Sequence, residues 1–159
     1  MDVKSGVQLD DTRAENGTRT PGVLSQISAA TCVGDGPQQR CIGVDALRAA
    51  MARTPPAELG VPDWAVAGVS KAAPNRRLEG LVAPGPYDID PNASPAAVLR
   101  DVLDTSVPRL ELTGLGQGAA SGAKGYEALI RASLVEREAV GPDLPKVARV
   151  ISNLSLIHI

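Results

Sequence analysis

Gly141-Pro142-Asp143-Leu144-Pro145 is the feature that most limits what this chain can fold into. It interrupts a stretch from Gly125 to Asn153 that otherwise favours helix. Glycine relaxes the backbone and proline cannot donate the next helical hydrogen bond, so a helix running into Gly141-Pro142 must stop. Pro145 suits the first turn of a following helix, where a missing N–H has no partner to lose. Before the break, Tyr126, Leu129, Ile130, Ser133 and Leu134 recur at the i, i+3, i+4, i+7, i+8 spacing of one helix face. After it, Leu144, Val147, Ala148 and Ile151 make a second apolar face. Two helices joined by so short a link are expected to pack as an αα-hairpin.

Two carboxylates, Glu136 and Glu138, fall late in the first of these helices. At about 100° per residue they stand roughly 160° apart around the axis. They flank the apolar stripe on opposite sides and cannot act as a close pair. Spacing alone leaves them as two solvated glutamates among helix formers.

A wider pattern gives them meaning. Ala132-Ser133-Leu134-Val135-Glu136-Arg137-Glu138 is followed by Lys146-Val147-Ala148-Arg149-Val150-Ile151-Ser152-Asn153. Upstream stands Leu78-Glu79-Gly80-Leu81-Val82-Ala83-Pro84-Gly85-Pro86-Tyr87. Together these resemble the endolytic murein transglycosylases, the MltG or YceG-like family. That family carries an Ala-Ser-hydrophobic-hydrophobic-Glu-basic-Glu segment, then Lys-Val-Ala-x-Val-hydrophobic-x-Asn-Arg-Leu, and upstream a Glu-Gly-x-x-x-Pro-x-x-Tyr segment. The resemblance covers about residues 78–153 and, more loosely, the part before it.

The resemblance implies an α+β fold, mostly helical in this chain, as an incomplete catalytic domain. Residues 1–77 would be its upstream portion and 78–153 the portion that matches. The implied activity is endolytic cleavage of peptidoglycan glycan strands between N-acetylmuramic acid and N-acetylglucosamine, leaving 1,6-anhydro ends. In the family the second glutamate of the Glu-x-Glu segment is catalytic, and that position here is Glu138. By the same resemblance Glu79, Tyr87 and Asn153 border the substrate. Glycan strands are the implied partner, with cell-wall synthases as possible associates. No metal or cofactor is implied. The location implied is the bacterial cytoplasmic membrane, with the catalytic part outside.

Both ends depart from the family pattern. Members usually have a short cytoplasmic tail and a membrane anchor, and this chain starts Met1-Asp2-Val3-Lys4 without one. No apolar run approaches the roughly 20 residues of a membrane span. After Asn153 the family continues with Arg-Leu, whereas here Leu154-Ser155-Leu156-Ile157-His158-Ile159 follows. That hexapeptide reads like a translated sequencing adapter, so residues 154–159 are expected to be non-native. The only histidine, His158, lies in it. The polypeptide is therefore expected to be inactive alone.

The rest of the chain constrains less. With no Phe, one Trp and two Tyr, the core must be built from Ala, Val, Leu and Ile. A net charge of −2 offers no basic excess for a phosphate backbone, so nucleic acid is excluded as a partner. Cys32 and Cys41 are the only cysteines, and without a second pair or a nearby His they do not suggest zinc. They are either two thiols or a disulfide, which the extracytoplasmic location implied above would let persist.

Val7–Asp11 and Val23–Ala29 could be strands or loops, and Asn16-Gly17 marks a turn. Val44–Arg53 reads as a helix with Leu47, Ala50 and Met51 inward, and Pro62–Val69 as a shorter one carrying Trp64 as a core anchor. Three prolines keep Leu78–Asp90 a loop or edge strand. Within it Glu79, Asp88 and Asp90 are alternative acids, or serve a cap and turns. Ser94-Pro95 opens a helix whose buried face is Val98, Leu99, Val102 and Leu103, and Thr105–Pro108 should end it. Gly114-Leu115-Gly116-Gln117-Gly118-Ala119 fits a nucleotide-loop spacing, but no buried strand precedes it, so a flexible linker is the better reading.

Two other readings stay open. The chain could be a non-catalytic cell-wall interaction domain, or a hydrolase using Glu79 or Asp88 with water.

Overall fold

The computed structural model describes residues 1–117, 125–138 and 141–156. The architecture is α+β and mostly helical, with four two-residue strands among the described residues. Strand β1 (Asp2–Val3) pairs antiparallel with β4 (Gly85–Pro86), and β2 (Thr12–Arg13) with β3 (Arg19–Thr20) across the turn that Asn16-Gly17 announces. The expected loop or edge strand at Leu78–Asp90 is thus mostly loop, with one short edge pairing.

Helix α1 (Val23–Ala30) corrects the expectation of a strand or loop there. Gly22, its N-cap, has no side chain to cap with. The free donors of the first turn are met by the incoming chain instead. Val23 N–H donates to Gln8 O at 3.0 Å and Leu24 N–H to Leu9 O at 3.1 Å. Gly22 N–H donates to Asp11 Oδ1 at 2.7 Å. The loop around residues 8–11 therefore works as a tertiary cap.

Asp11 is held charged there. Hydrogen bonds from Ser25, then from the Gly22 N–H and Arg19, lower its carboxyl from 3.8 to about 2. A folded-state value below the unfolded one means the stabilisation is complete above the unfolded value and is lost as pH falls through the folded one. Between about pH 4 and 2, wild type should therefore lose stability that Asp11→Asn never had. Urea midpoints over that range check this; parallel curves for the two proteins would contradict it.

Cys32 and Cys41 are joined by a disulfide after α1. Helix α2 (Val44–Arg53) buries Leu47 and Met51, and α3 (Asp63–Val69) buries Ala65 and Val69. Trp64 is only partly buried, and its indole N–H donates to Glu111 Oε1 at 3.1 Å. It is a flank of the core and not its centre.

Helix α4 (Pro95–Leu112) starts as read, with Ser94 Oγ accepting from Ala97 N–H at 3.3 Å. It does not end at Thr105–Pro108, however, and Pro108 lies inside it. Pro108 and Asp104 both face solvent, so water can satisfy the carbonyl that proline leaves unpaired. The opposite side is fixed by burial of Val102, Leu103 and Ser106.

Ser106 ties α4 to the loop below it. Its Oγ accepts from Ala83 N–H at 2.6 Å and donates to Leu81 O at 2.7 Å, and the serine is wholly buried. Removing the hydroxyl orphans two buried backbone groups. Ser106→Ala is expected to cost about 2–3 kcal/mol in urea unfolding. A loss under about 0.5 kcal/mol would contradict this account of the loop.

Helices α5 (Tyr126–Glu138) and α6 (Leu144–Leu156) flank the Gly141–Asp143 turn and pack on each other as the expected hairpin. Their apolar faces are not buried as expected. In α5 only Ala128 is buried, while Ile130 and Leu134 are 46% and 45% exposed. In α6, Val147, Ala148 and Ile151 are half-buried and Leu144 is exposed. The core lies elsewhere, among α1–α4 and the loop from Leu78 to Tyr87. The linker proposed after Gly114 falls partly outside the described residues, and His158 wholly so.

Candidate functional site

The loop at Lys4–Leu9, the segment Leu78–Pro84 and one side of α5 enclose an open cavity of about 650 Å³. The loop can approach α5 because its own backbone is anchored at β1 and at the α1 cap. Helix α5 is seated in turn on α3, where Gly68 admits the Tyr126 ring. A Cβ at Gly68 would fall 2.1 Å from Tyr126 Cδ1, so only glycine permits this approach.

Glu79 lies in the cavity wall, half-buried. Its Oε1 accepts from Leu9 N–H at 3.0 Å, and its Oε2 meets Arg76 Nη2 at 3.4 Å. Arg76 Nε also reaches Asp10 Oδ2 at 3.2 Å, and Asp10 Oδ1 takes Arg48 Nη2 at 2.6 Å. Glu79 thus orients the N-terminal loop and heads a row of alternating charges. Burial, with help from the Glu79 charge, raises the Tyr126 phenol above its ordinary value. The phenol therefore stays protonated at neutral pH and can donate a hydrogen bond.

Glu136 lines the same cavity, and its Oε1 accepts from Ser5 Oγ at 3.0 Å. The contact joins the first residues of the chain to α5. Ser133 and Arg137 line the cavity beside it.

Glu138 lies elsewhere. It is exposed at the end of α5 and is not part of the cavity lining, as the angle between it and Glu136 requires. Asn153 is exposed on α6, also away from the cavity. Tyr87 is 3% exposed, with its hydroxyl donating to Ala83 O, so it underpins the loop from inside. The Arg109 guanidinium covers its ring at 4.8 Å from the centroid. Asp88 is exposed, and Asp90 Oδ1 accepts from Asn92 N–H at 2.8 Å in a turn.

Of the residues that the sequence offers for a catalytic or substrate role, Glu79, Tyr87, Asp88, Asp90, Glu138 and Asn153, only Glu79 borders the cavity, and Glu136, read there as a solvated flank, borders it as well. Ser5, Arg76 and Tyr126 also line it and were not singled out as site residues; their one sequence signal is the place of Tyr126 on the Leu129 face. Among the described residues, no group of three or more His, Cys, Asp or Glu could hold a metal ion, and no helix is long and apolar enough to cross a membrane.

The family model described as the YceG-like family matches residues 2–154. No curated protein matches the chain.

Proposed function

The chain belongs to the YceG-like family, and from that premise we propose that it carries the catalytic glutamate of an endolytic peptidoglycan transglycosylase. The observation that carries this reading is the extent of the match, which takes in both the Glu79 and the Glu138 segments. The substrate is the peptidoglycan glycan strand. The cut falls between N-acetylmuramic acid and N-acetylglucosamine.

One carboxyl group suffices for the chemistry. Glu138 protonates the glycosidic oxygen, and the N-acetylglucosamine hydroxyl leaves. The resulting carboxylate then takes the proton of the muramyl C6 hydroxyl, whose oxygen bonds to the anomeric carbon. The glutamate ends as it began, and the product is a 1,6-anhydro ring. A hydrolytic glycosidase would need a second carboxylate and a water.

Exposure of Glu138 gives a long polymer unhindered access to it. The same exposure leaves it without surrounding walls among the described residues, so the polypeptide alone is proposed to be inactive. Glu79 is assigned a supporting role, orienting the loop at Leu9. Tyr87 supports the same segment from below, and Asn153 is assigned to the substrate side of α6. The disulfide supports an extracytoplasmic location. The membrane anchor and the cell-wall synthases remain proposals carried by the family resemblance.

The position of Glu138 outside the cavity favours one second reading, a non-catalytic domain that binds the cell wall. Product analysis tests the enzyme reading. Glycan strands treated with the complete gene product should yield 1,6-anhydro ends. Reducing ends would point to a hydrolase using Glu79 or Asp88, and uncut but bound strands to the binding domain.

A further inference from the structure

One face of α5 is apolar, and it is shared between core and cavity: Leu129 packs against the edge of the core and also lines the cavity, while Ile130 is left to the cavity. Leu129, Ile130 and Ser133 form this wall, and Ile130 is 46% exposed. Charges of both signs border it: Arg137 on one hand and Glu136 on the other, with Lys4 beside them already paired to Asp2. Among the described residues Arg137 forms no ion pair, and the one hydrogen bond on Glu136 Oε1 comes from the Ser5 hydroxyl. The cavity, at about 650 Å³, is within the usual range for a small-ligand site.

A sugar is a poor occupant. Pyranose rings favour stacking on an aromatic face, and Tyr126 is the one aromatic residue in the lining. Its ring is packed against Gly68. An apolar wall bordered by opposite charges suits a short zwitterionic peptide instead.

We propose that this cavity binds the peptide stem of peptidoglycan, while the glycan is handled separately at Glu138. The identity of the peptide rests on the transglycosylase reading above. The stem offers small methyl side chains to Leu129 and Ile130, a carboxylate to Arg137, and the amine of its diamino acid to Glu136. Because Glu136 and Glu138 stand roughly 160° apart on α5, one helix would touch both parts of the same substrate.

The test is calorimetric titration of the tetrapeptide L-Ala-γ-D-Glu-meso-diaminopimelate-D-Ala into this chain. Saturable binding is expected, weakened at least tenfold by Arg137→Ala, by Glu136→Gln and by Ser133→Trp, which would fill the cavity. Glu138→Gln should change it less than twofold, and a stem-free N-acetylglucosamine tetramer should not compete. Circular dichroism confirms that each variant folds; all three positions are at the surface. Absence of saturable binding, indifference to the cavity variants, or displacement by the sugar would overturn the proposal. The two readings fail separately. Lost peptide binding with anhydro products intact removes only the stem site, and peptide binding without anhydro products removes only the catalytic reading.

Discussion

Gly22→Ala is expected to cost about 3 kcal/mol or more, a large share of the total stability of a domain this size. An alanine Cβ there would lie 2.3 Å from Asp10 C, 2.5 Å from Asp10 O and 2.6 Å from Leu9 O. These are backbone atoms and cannot turn aside as a side chain can. Relief requires the loop to lift, and the loop is what caps α1. Lifting it loosens the bonds from Val23 N–H to Gln8 O and from Leu24 N–H to Leu9 O, and the Asp11 contact to Gly22. Gln8 and Leu9 also line the cavity, so the same variant should lose stem-peptide binding. Gly43→Ala is the matched control. Gly43 is likewise a helix N-cap, with φ −67°, and has nothing within 4 Å of the added carbon. It should cost under about 1 kcal/mol. Urea unfolding of both variants checks the pair; equal costs would contradict the tertiary-cap account.

Local chemistry made some of this fold legible and tertiary contact hid the rest. The αα-hairpin could be read because Gly141-Pro142 and Pro145 act on the backbone directly. The start of α4 could be read because Ser94 caps through its own side chain. Helix α1 could not be, since its donors are met by residues more than ten positions earlier in the chain. The end of α4 is not legible, because proline breaks a helix only where nothing else satisfies the freed carbonyl, and Asp104 and Pro108 face water. The α5 stripe has the right period for a buried face, but period does not tell whether a core or an open cavity lies opposite. Of the candidate residues, Glu79 in the cavity wall and Glu138 outside it are both visible in the sequence through the segments they belong to. The link from Ser5 to Glu136 was not, because it joins residues 131 positions apart.

Glu138→Gln is the substitution with the largest expected effect on activity. The amide keeps the size of the side chain and its exposed place at the end of α5, so folding and cavity should be unchanged. It cannot donate the proton to the leaving oxygen, and it cannot take the proton of the C6 hydroxyl. General acid–base catalysis contributes about 10²–10⁴-fold. Under the proposed mechanism both roles fall on one carboxyl, so a loss of roughly 10³-fold or more is expected. Glu136→Gln, on the opposite flank, should slow the cutting of stem-bearing strands far more than that of stem-free ones.

The most direct test of the central claim is the initial rate of 1,6-anhydro end formation from glycan strands. It should be measured by mass spectrometry for the complete gene product beside its Glu138→Gln variant. A variant rate below roughly a thousandth of wild type, with strand binding retained, is the predicted result. A variant that keeps more than about a tenth of the wild-type rate would contradict the assignment of catalysis to Glu138.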